Sequence, residues 1–480
     1  MTQSASSRMS RVDTAWLRMD NDVNLMMIVG VWLLTPGVSM AALRQRITDK
    51  LLQYERFKQK VVVDTMGANW VLDADFDIAH HVLPETLKLK RGEGERAALQ
   101  RRCGELAMTP LDPGRPLWQF HLVPHYEGGS AVVLRIHHCI ADGIALISVM
   151  NSITDGGSDP PKRRKRRGED DPHEGDWLAE AVLKPLSDIA AKAVGMYGHG
   201  VSKSIDMLSH PQQGLHSSVD MARTGLQVLR DTAALALLAD DSPTQLKGKA
   251  SGQKVVAWGE PLPLDRVKAI GKALGCSIND VLLASVAGAI GRYLREQGEE
   301  PAGKEIRAMV PVNLRPLEKA WQLGNRFGLA PLVLPIGIDN PIERVFAVRQ
   351  RMAELKGSYQ PLLAFAVLSV TGLFIKPVQD AVLDLFAKKS TAVMTNVPGP
   401  AKPLKFCGST LRQTMFWVPS SGNIGVGVSI LSYGGGVQFG LITDRALCPE
   451  PQKIIDCFEP EFNKLLCLTM MLPWEVAQAA

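Results

Sequence analysis

This 480-residue sequence has no cysteine pair at C-x-x-C spacing. Its seven cysteines, Cys103, Cys139, Cys276, Cys407, Cys448, Cys457 and Cys467, are odd in number and scattered. That excludes a disulfide framework or zinc site as the organising feature and suits free thiols in a reducing compartment. Residues 1–11 are polar and Ser-rich, without the apolar stretch of a secretory signal. Two apolar stretches, residues 24–34 and 361–375, fall below the ~18 apolar residues of a spanning helix, and the second contains Ser369, Thr371 and Gly372. A cytoplasmic protein is expected, either free or peripheral on the inner face of the plasma membrane or on lipid inclusions.

Excess charge is also scarce. Lys and Arg number 54 against 49 for Asp and Glu, and the run Lys162, Arg163, Arg164, Lys165, Arg166, Arg167 alone exceeds the difference. The rest of the chain is near neutral. The run lacks interleaved aromatics and is followed by Glu169, Asp170 and Asp171, so it reads as a solvated linker and not as a nucleic-acid site. With the helices after Trp177, it could instead hold the protein on an anionic lipid surface.

What is present is an ordinary globular balance, 46% hydrophobic and 21% charged, in a chain long enough for two or three domains. Residues 25–34 form an apolar strand pattern, and Ser39 then caps a helix carrying Met40, Leu43, Ile47 and Leu51. A second helix is expected near residues 95–108. A strand follows at 117–123 with Trp118, Phe120 and Leu122 on one face. After the turn Tyr126-Glu127-Gly128-Gly129, residues 131–136 form a buried strand. Gly, Pro and dense charge at 155–171 mark a boundary, residues 177–238 read as helices, and mixed strand and helix return from 255. There Ser277 and Asp280 make an S-x-x-D cap, and residues 306–312, 425–431 and 437–442 read as strands. The organisation expected is 1–158, then a linker and helical crossover at 159–248, then 249–480.

The buried strand ends in His137-His138-Cys139-Ile140-Ala141-Asp142-Gly143. An imidazole with a pKa of ~6.5 can take a proton from an alcohol at neutral pH and return it to a leaving group. Asp142 can fix the local geometry by pairing inward with an Arg. Gly143 permits a backbone conformation that a side chain would block. Two other readings are weaker. His137, His138 and Asp142 could ligate a metal, but neighbours at a strand end point to opposite faces. The same divergence weakens a Cys139–His nucleophilic pair. His80-His81 lacks the preceding strand and the Asp-Gly, and reads as structural or surface.

The run from His137 to Gly143 resembles the HHxxxDG motif of the bacterial wax ester synthase/acyl-CoA:diacylglycerol acyltransferase family, related to the chloramphenicol acetyltransferase-like acyltransferase superfamily. Ser10-Arg11-Val12-Asp13-Thr14-Ala15-Trp16-Leu17 is similar to that family's opening, Pro116-Leu117-Trp118 to its PLW element and Asn279-Asp280 to its ND motif. Later blocks follow in the family's order: Val310-Pro311-Val312-Asn313-Leu314-Arg315, Gly324-Asn325-Arg326-Phe327-Gly328, Thr395-Asn396-Val397-Pro398-Gly399-Pro400, and Ser432-Tyr433 with residues 439–445.

The resemblance implies an α/β fold of two chloramphenicol acetyltransferase-like mixed-sheet domains joined by a helical crossover, with the active site in a channel between them. It implies His138 as general base, His137 as the less critical first histidine, Asp142 as a structural partner of Arg315, and Gly143 opening the channel. Asn279 and Asp280 either cap a helix or shape the site, and Pro116, Leu117 and Trp118 pack. The implied reaction moves an acyl group from acyl-CoA to diacylglycerol or a long-chain fatty alcohol, releasing CoA, with no metal or organic cofactor. The competing reading is a non-catalytic scaffold or lipid-surface binding protein of the same fold.

Overall fold

The apolar run after residue 25 becomes a strand buried on both faces, and the fold is arranged around it. In the computed structural model, residues 6–64, 67–157, 240–314, 323–358, 364 and 388–472 are described. The first half contributes β1 (Ser7–Arg8), α1 (Arg11–Arg18), β2 (Met27–Thr35), α2 (Met40–Lys50), β3 (Gln59–Asp64), β4 (Gly67–Leu72), β5 (Val82–Pro84), α3 (Glu95–Ala107), β6 (Trp118–Tyr126), β7 (Gly129–His137) and α4 (Gly143–Ser152). The second contributes β8 (Lys254–Trp258), β9 (Leu262–Pro263), α5 (Leu264–Ala273), α6 (Ile278–Glu296), β10 (Ile306–Asn313), β11 (Phe327–Leu334), α7 (Pro341–Lys356), β12 (Ala392–Pro398), β13 (Lys405–Phe406), β14 (Ser409–Trp417), β15 (Val426–Tyr433), β16 (Gly436–Asp444) and α8 (Pro451–Met470).

Two large sheets result, each the floor of one lobe of a mixed α/β fold. The second lobe orders its strands β11-β10-β12-β15-β16-β8, with β9 on the flank of β16, and mixes parallel and antiparallel pairs. Helix α6 lies against it, with Ala284, Ala287 and Ala289 among its buried side chains, and Ser277 and Asp280 close the expected capping box. Small side chains let α6 approach its neighbours closely: a Cβ on Gly291 would meet the Ile336 carbonyl oxygen at 2.2 Å.

The first sheet has the order β13-β14-β2-β7-β6-β5, so two strands from beyond residue 400 complete it. Residues 405–417, placed by sequence in the third segment, therefore sit in the first sheet. Strand alternation divides β2 between two cores. Ile28, Trp32 and Leu34 pack into one core; Met27, Val29, Val31 and Leu33 pack into another with α3, Val256 and Trp258 of β8, and Trp417. Burial on both faces explains why β2 reads as a continuous apolar run and not as an alternation.

The local expectations correspond closely to these elements, including the Ser39 cap, whose side chain accepts from the Ala42 N–H. All seven cysteines are free. The expected linker starts later than its composition suggests, because Asp155 pairs with Arg46 at 2.5 Å and accepts the N–H groups of Cys407 and Gly408. Residues 158–171, the basic run 162–167 and the helical reading of 177–238 lie outside the described residues. Among the described residues, no single helix is long and apolar enough to cross a membrane.

Candidate active site

Strand β7 places His137 at its end, opposite Met27 of β2, and His138 one residue beyond. The two imidazoles diverge, as neighbours at a strand end must. His137 Nε2 lies 3.2 Å from Asp20 Oδ2, while its Nδ1 accepts the Cys139 N–H at 3.1 Å. An acceptor at Nδ1 leaves a proton on Nε2 that is donated to Asp20, and against the cost of burial the neighbouring Cys139 and Asp20 raise the His137 imidazole above its ordinary value. Asp20 also accepts the Met26 N–H through Oδ1, and the Met26 carbonyl accepts the His138 N–H at 2.7 Å. A closed ring of contacts thus fixes the backbone from which His138 projects.

The His138 ring faces the cavity between the lobes. The Trp16 indole is stacked on it, and Phe327 is tilted against it at 5.6 Å between centroids. Its Nδ1 is buried with no hydrogen-bond partner among the described residues. Burial pushes the His138 imidazole down from its usual 6.5 to about 4, against the pull of the Asp142 carboxylate toward the charged form. The expected ordinary pKa is therefore corrected, because the sequence motif does not contain the two aromatic rings that remove water. At neutral pH the ring is uncharged, with a lone pair free for a proton.

Asp142 caps α4: Oδ1 accepts the Ala145 N–H at 3.0 Å and Oδ2 accepts the Arg326 N–H at 3.0 Å, linking the lobes. Its expected partner Arg315 lies outside the described residues. Helix α4 itself was legible, since Asp142 precedes Ala145, Leu146, Val149 and Ile153 at helical spacing, although no helix was expected there. Gly143 needs correction in one respect. It is absent from the residues with a left-handed φ, so its backbone is not one that a side chain forbids. A Cβ there would meet nothing within 4 Å, and Gly143 borders open space in the cavity wall.

The second lobe reaches the motif through residues 324–327. Gly324, at φ +106°, forms a parallel bridge with Ala141, a conformation that favours glycine. The Asn325 amide donates to Asp13 Oδ1 at 2.7 Å and to the His138 carbonyl at 2.8 Å. Asp13 is buried, and burial raises its carboxyl above the ordinary carboxylate range despite Arg56 and the Asn325 bonds. Asp13, Trp16, Asp20, Asn325 and Phe327 were not singled out as site residues from sequence. The only signal for Asp13, Trp16, Asn325 and Phe327 was their position inside blocks read for resemblance, and Asp20 lay outside every block.

The remaining candidates divide. Asp280 works as a helix cap, whereas Asn279 Oδ1 accepts from Asn396 Nδ2, and Asn396 lines the cavity. Trp118 is fully buried, donates from Nε1 to the Phe57 carbonyl and stacks on His81, so its role is packing. Leu117 contributes its carbonyl to the His137 N–H, and Pro116 its carbonyl to the Trp118 N–H. His81 is buried with Nδ1 2.8 Å from the Trp118 carbonyl oxygen, as the structural reading expected. The cavity encloses about 1470 Å³, counting its open end, and is walled mainly by apolar groups such as Met19, Met309, Leu329, Val393 and Ile424.

Residues 9–282 match the model described as the wax ester synthase/diacylglycerol acyltransferase catalytic domain, and residues 323–466 match the model described as the WS/DGAT C-terminal domain. The protein named "Probable diacyglycerol O-acyltransferase tgs2" of Mycobacterium tuberculosis is 27% identical over 412 residues, covering 82% of this chain and 83% of that one. The protein named "Probable diacyglycerol O-acyltransferase tgs1" of the same organism is 23% identical over 442 residues, covering 90% and 89%. In fold, the chain is similar to the wax ester synthase/diacylglycerol acyltransferase of Marinobacter aquaeolei VT8 (TM-score 0.65, 20% identity, 97% of this chain and 100% of that one). It is also similar to the first condensation domain of the calcium-dependent antibiotic synthetase (TM-score 0.58, 15% identity, 98% and 97%). The lobed fold, the histidine motif in the cleft and the family matches along most of the chain agree: this protein belongs to the wax ester synthase/diacylglycerol acyltransferase family and is an acyltransferase.

Proposed function

We propose that the protein transfers a fatty acyl group from acyl-CoA to the free hydroxyl of diacylglycerol, making triacylglycerol, and to long-chain fatty alcohols, making wax esters. The observation that carries this reading is the uncharged His138 ring, buried between Trp16 and Phe327 in the wall of an apolar cavity. His138 takes the hydroxyl proton as the oxygen attacks the thioester carbonyl. The tetrahedral intermediate collapses, the C–S bond breaks, and the CoA thiolate recovers the proton from the imidazolium. An apolar wall excludes the water that would otherwise hydrolyse the thioester. No metal or organic cofactor enters these steps.

The test is free thiol released from palmitoyl-CoA by wild type and His138→Ala, with diacylglycerol, hexadecanol or no acceptor. Acceptor-dependent release that is lost in the variant supports the reading. No release with any acceptor from folded protein returns the scaffold alternative. Asp142 pairing with Arg315 belongs to the same proposal: coupled defects in the double-mutant cycle of Asp142→Asn and Arg315→Ala support it, and independent defects refute it. Diacylglycerol resides in a lipid phase, so we place the protein peripherally at a membrane or lipid-inclusion surface, held by the basic run 162–167. Vesicle binding unchanged after those Lys and Arg residues become Gln would refute that placement.

A further inference from the structure

A second cavity, of about 750 Å³ counting its open end, lies between α4 and the sheet β14-β2-β7, with Leu431 and Tyr433 of β15 on its second-lobe side. Its lining shares Gly143 and Phe416 with the cavity that holds His138, so the two meet there. On the β2 wall, alternation puts Ile28, Gly30 and Trp32 on one face, a span of roughly 13 Å at strand rise. On the opposite wall α4 runs from Gly143 to Met150, roughly 10 Å at helical rise. Phe416 is paired directly with Gly30, and Thr414 with Trp32. The cavity is thus elongated, meeting the first at Gly143 beside Asp142 and running toward Trp32 and Met150 at its other end. The hydroxyl of Tyr433, on its border, is already engaged with the Leu404 N–H and the Leu411 carbonyl, which leaves that side chain apolar toward the interior.

We propose that this second cavity holds the hydrocarbon chain of the acyl group being transferred, with Gly30 setting its width and Met150 its depth. The inference rests on the acyl-CoA reading above. A diacylglycerol acceptor carries two chains and needs the larger cavity; the donor carries one unbranched chain, which matches the smaller space. Gly30 is the gap between two large side chains on the β2 wall. A Cβ there would lie 3.3 Å from the Met415 carbonyl oxygen and 3.6 Å from Leu134 Cδ1, so Ala fits with a small shift and Val occupies the passage. Gly30 and Met150 touch neither His138 nor its hydrogen-bond ring.

The experiment compares wild type, Gly30→Val and Met150→Ala in turnover of butanoyl-, palmitoyl- and icosanoyl-CoA at fixed diacylglycerol. It also compares butanol with hexadecanol at fixed palmitoyl-CoA. Affinities for the unreactive thioethers S-butyl-CoA and S-hexadecyl-CoA are measured in parallel. Gly30→Val is expected to lower kcat/KM for palmitoyl-CoA about tenfold relative to butanoyl-CoA, and to weaken S-hexadecyl-CoA by a similar factor while S-butyl-CoA is unaffected. Met150→Ala is expected to move preference the other way, toward icosanoyl-CoA. Unchanged chain preference in Met150→Ala, or a shift confined to the alcohol series, overturns the proposal, even if Gly30→Val does not fold. If wild type releases no thiol, the thioether affinities still decide the pocket, and the catalytic reading fails separately.

Discussion

The Trp16 indole lies on the His138 imidazole with ring centroids 4.1 Å apart and planes within 14° of parallel. That contact joins the first helix to the motif at the end of β7, and it helps keep water from the base. Removing it readmits water and eases charging of the ring. Trp16→Ala is therefore expected to raise the pKa of His138 toward 6.5 and lower kcat/KM about tenfold. A pH–rate profile that does not move would contradict this.

The wild-type acid limb follows from the same burial. A base whose pKa is lowered to about 4 stays unprotonated well below neutrality. The rate is expected to hold from pH 7 through 6 and to fall only on approaching about 4. The sign for stability is the same: below 6.5 the unfolded chain binds a proton that the folded His138 does not, so this residue destabilises the fold as pH drops from 6.5 toward 4. His138→Gln should remove that part of the acid destabilisation, which parallel denaturation series at several pH values would reveal. An acid limb centred at 6.5 would show that the ring is solvated.

Asn325 joins Asp13 and the His138 carbonyl, two groups from different parts of the first lobe, to the second lobe. Asn325→Ala leaves both buried acceptors without that donor and is expected to cost about 2–3 kcal/mol. Chemical denaturation would show the lowered midpoint. Activity should fall even where the variant stays folded, because the carbonyl next to the base is no longer held.

At Asp142 the two substitutions should separate. Asp142→Asn can still cap α4, whereas Asp142→Ala loses the cap, worth about 1 kcal/mol, together with the acceptor for the Arg326 N–H. The Ala variant is expected to be less stable than the Asn variant by thermal unfolding. Equal losses would argue against the capping role.

Asp20 makes a different prediction, because it touches His137 and the Met26 N–H but lies outside the motif. Asp20→Ala should lower kcat about tenfold with little change in KM, since the backbone that carries His138 loosens while the cavity wall persists. A change in KM alone would assign Asp20 to substrate binding instead.

Much of this was legible in sequence because the responsible interactions are local. The cap at Ser39, the capping box at Ser277 and Asp280, the strands around Trp118 and the placement of His138 at a strand end depend on residues close in the chain. The stack of Trp16 on His138 is not legible in that way, nor is the Asn325 contact with Asp13, whose partners are 312 residues apart. The low pKa of His138 depends on those same distant rings. Strand β14 was not read from the sequence at all, and its register with β2, which makes it part of the first sheet and of a cavity wall, is a tertiary fact.

The hairpin β13–β14 also sets an order on biosynthesis. The chain runs 369 residues between the end of β2 and the first residue of β13, and until β14 is made β2 is an unpaired edge with apolar side chains from Met27 to Leu34. Such an edge is a template for pairing with another nascent chain. The N-terminal half produced alone should therefore aggregate, and co-expression of the separated second half should recover soluble protein by supplying the missing strand in trans.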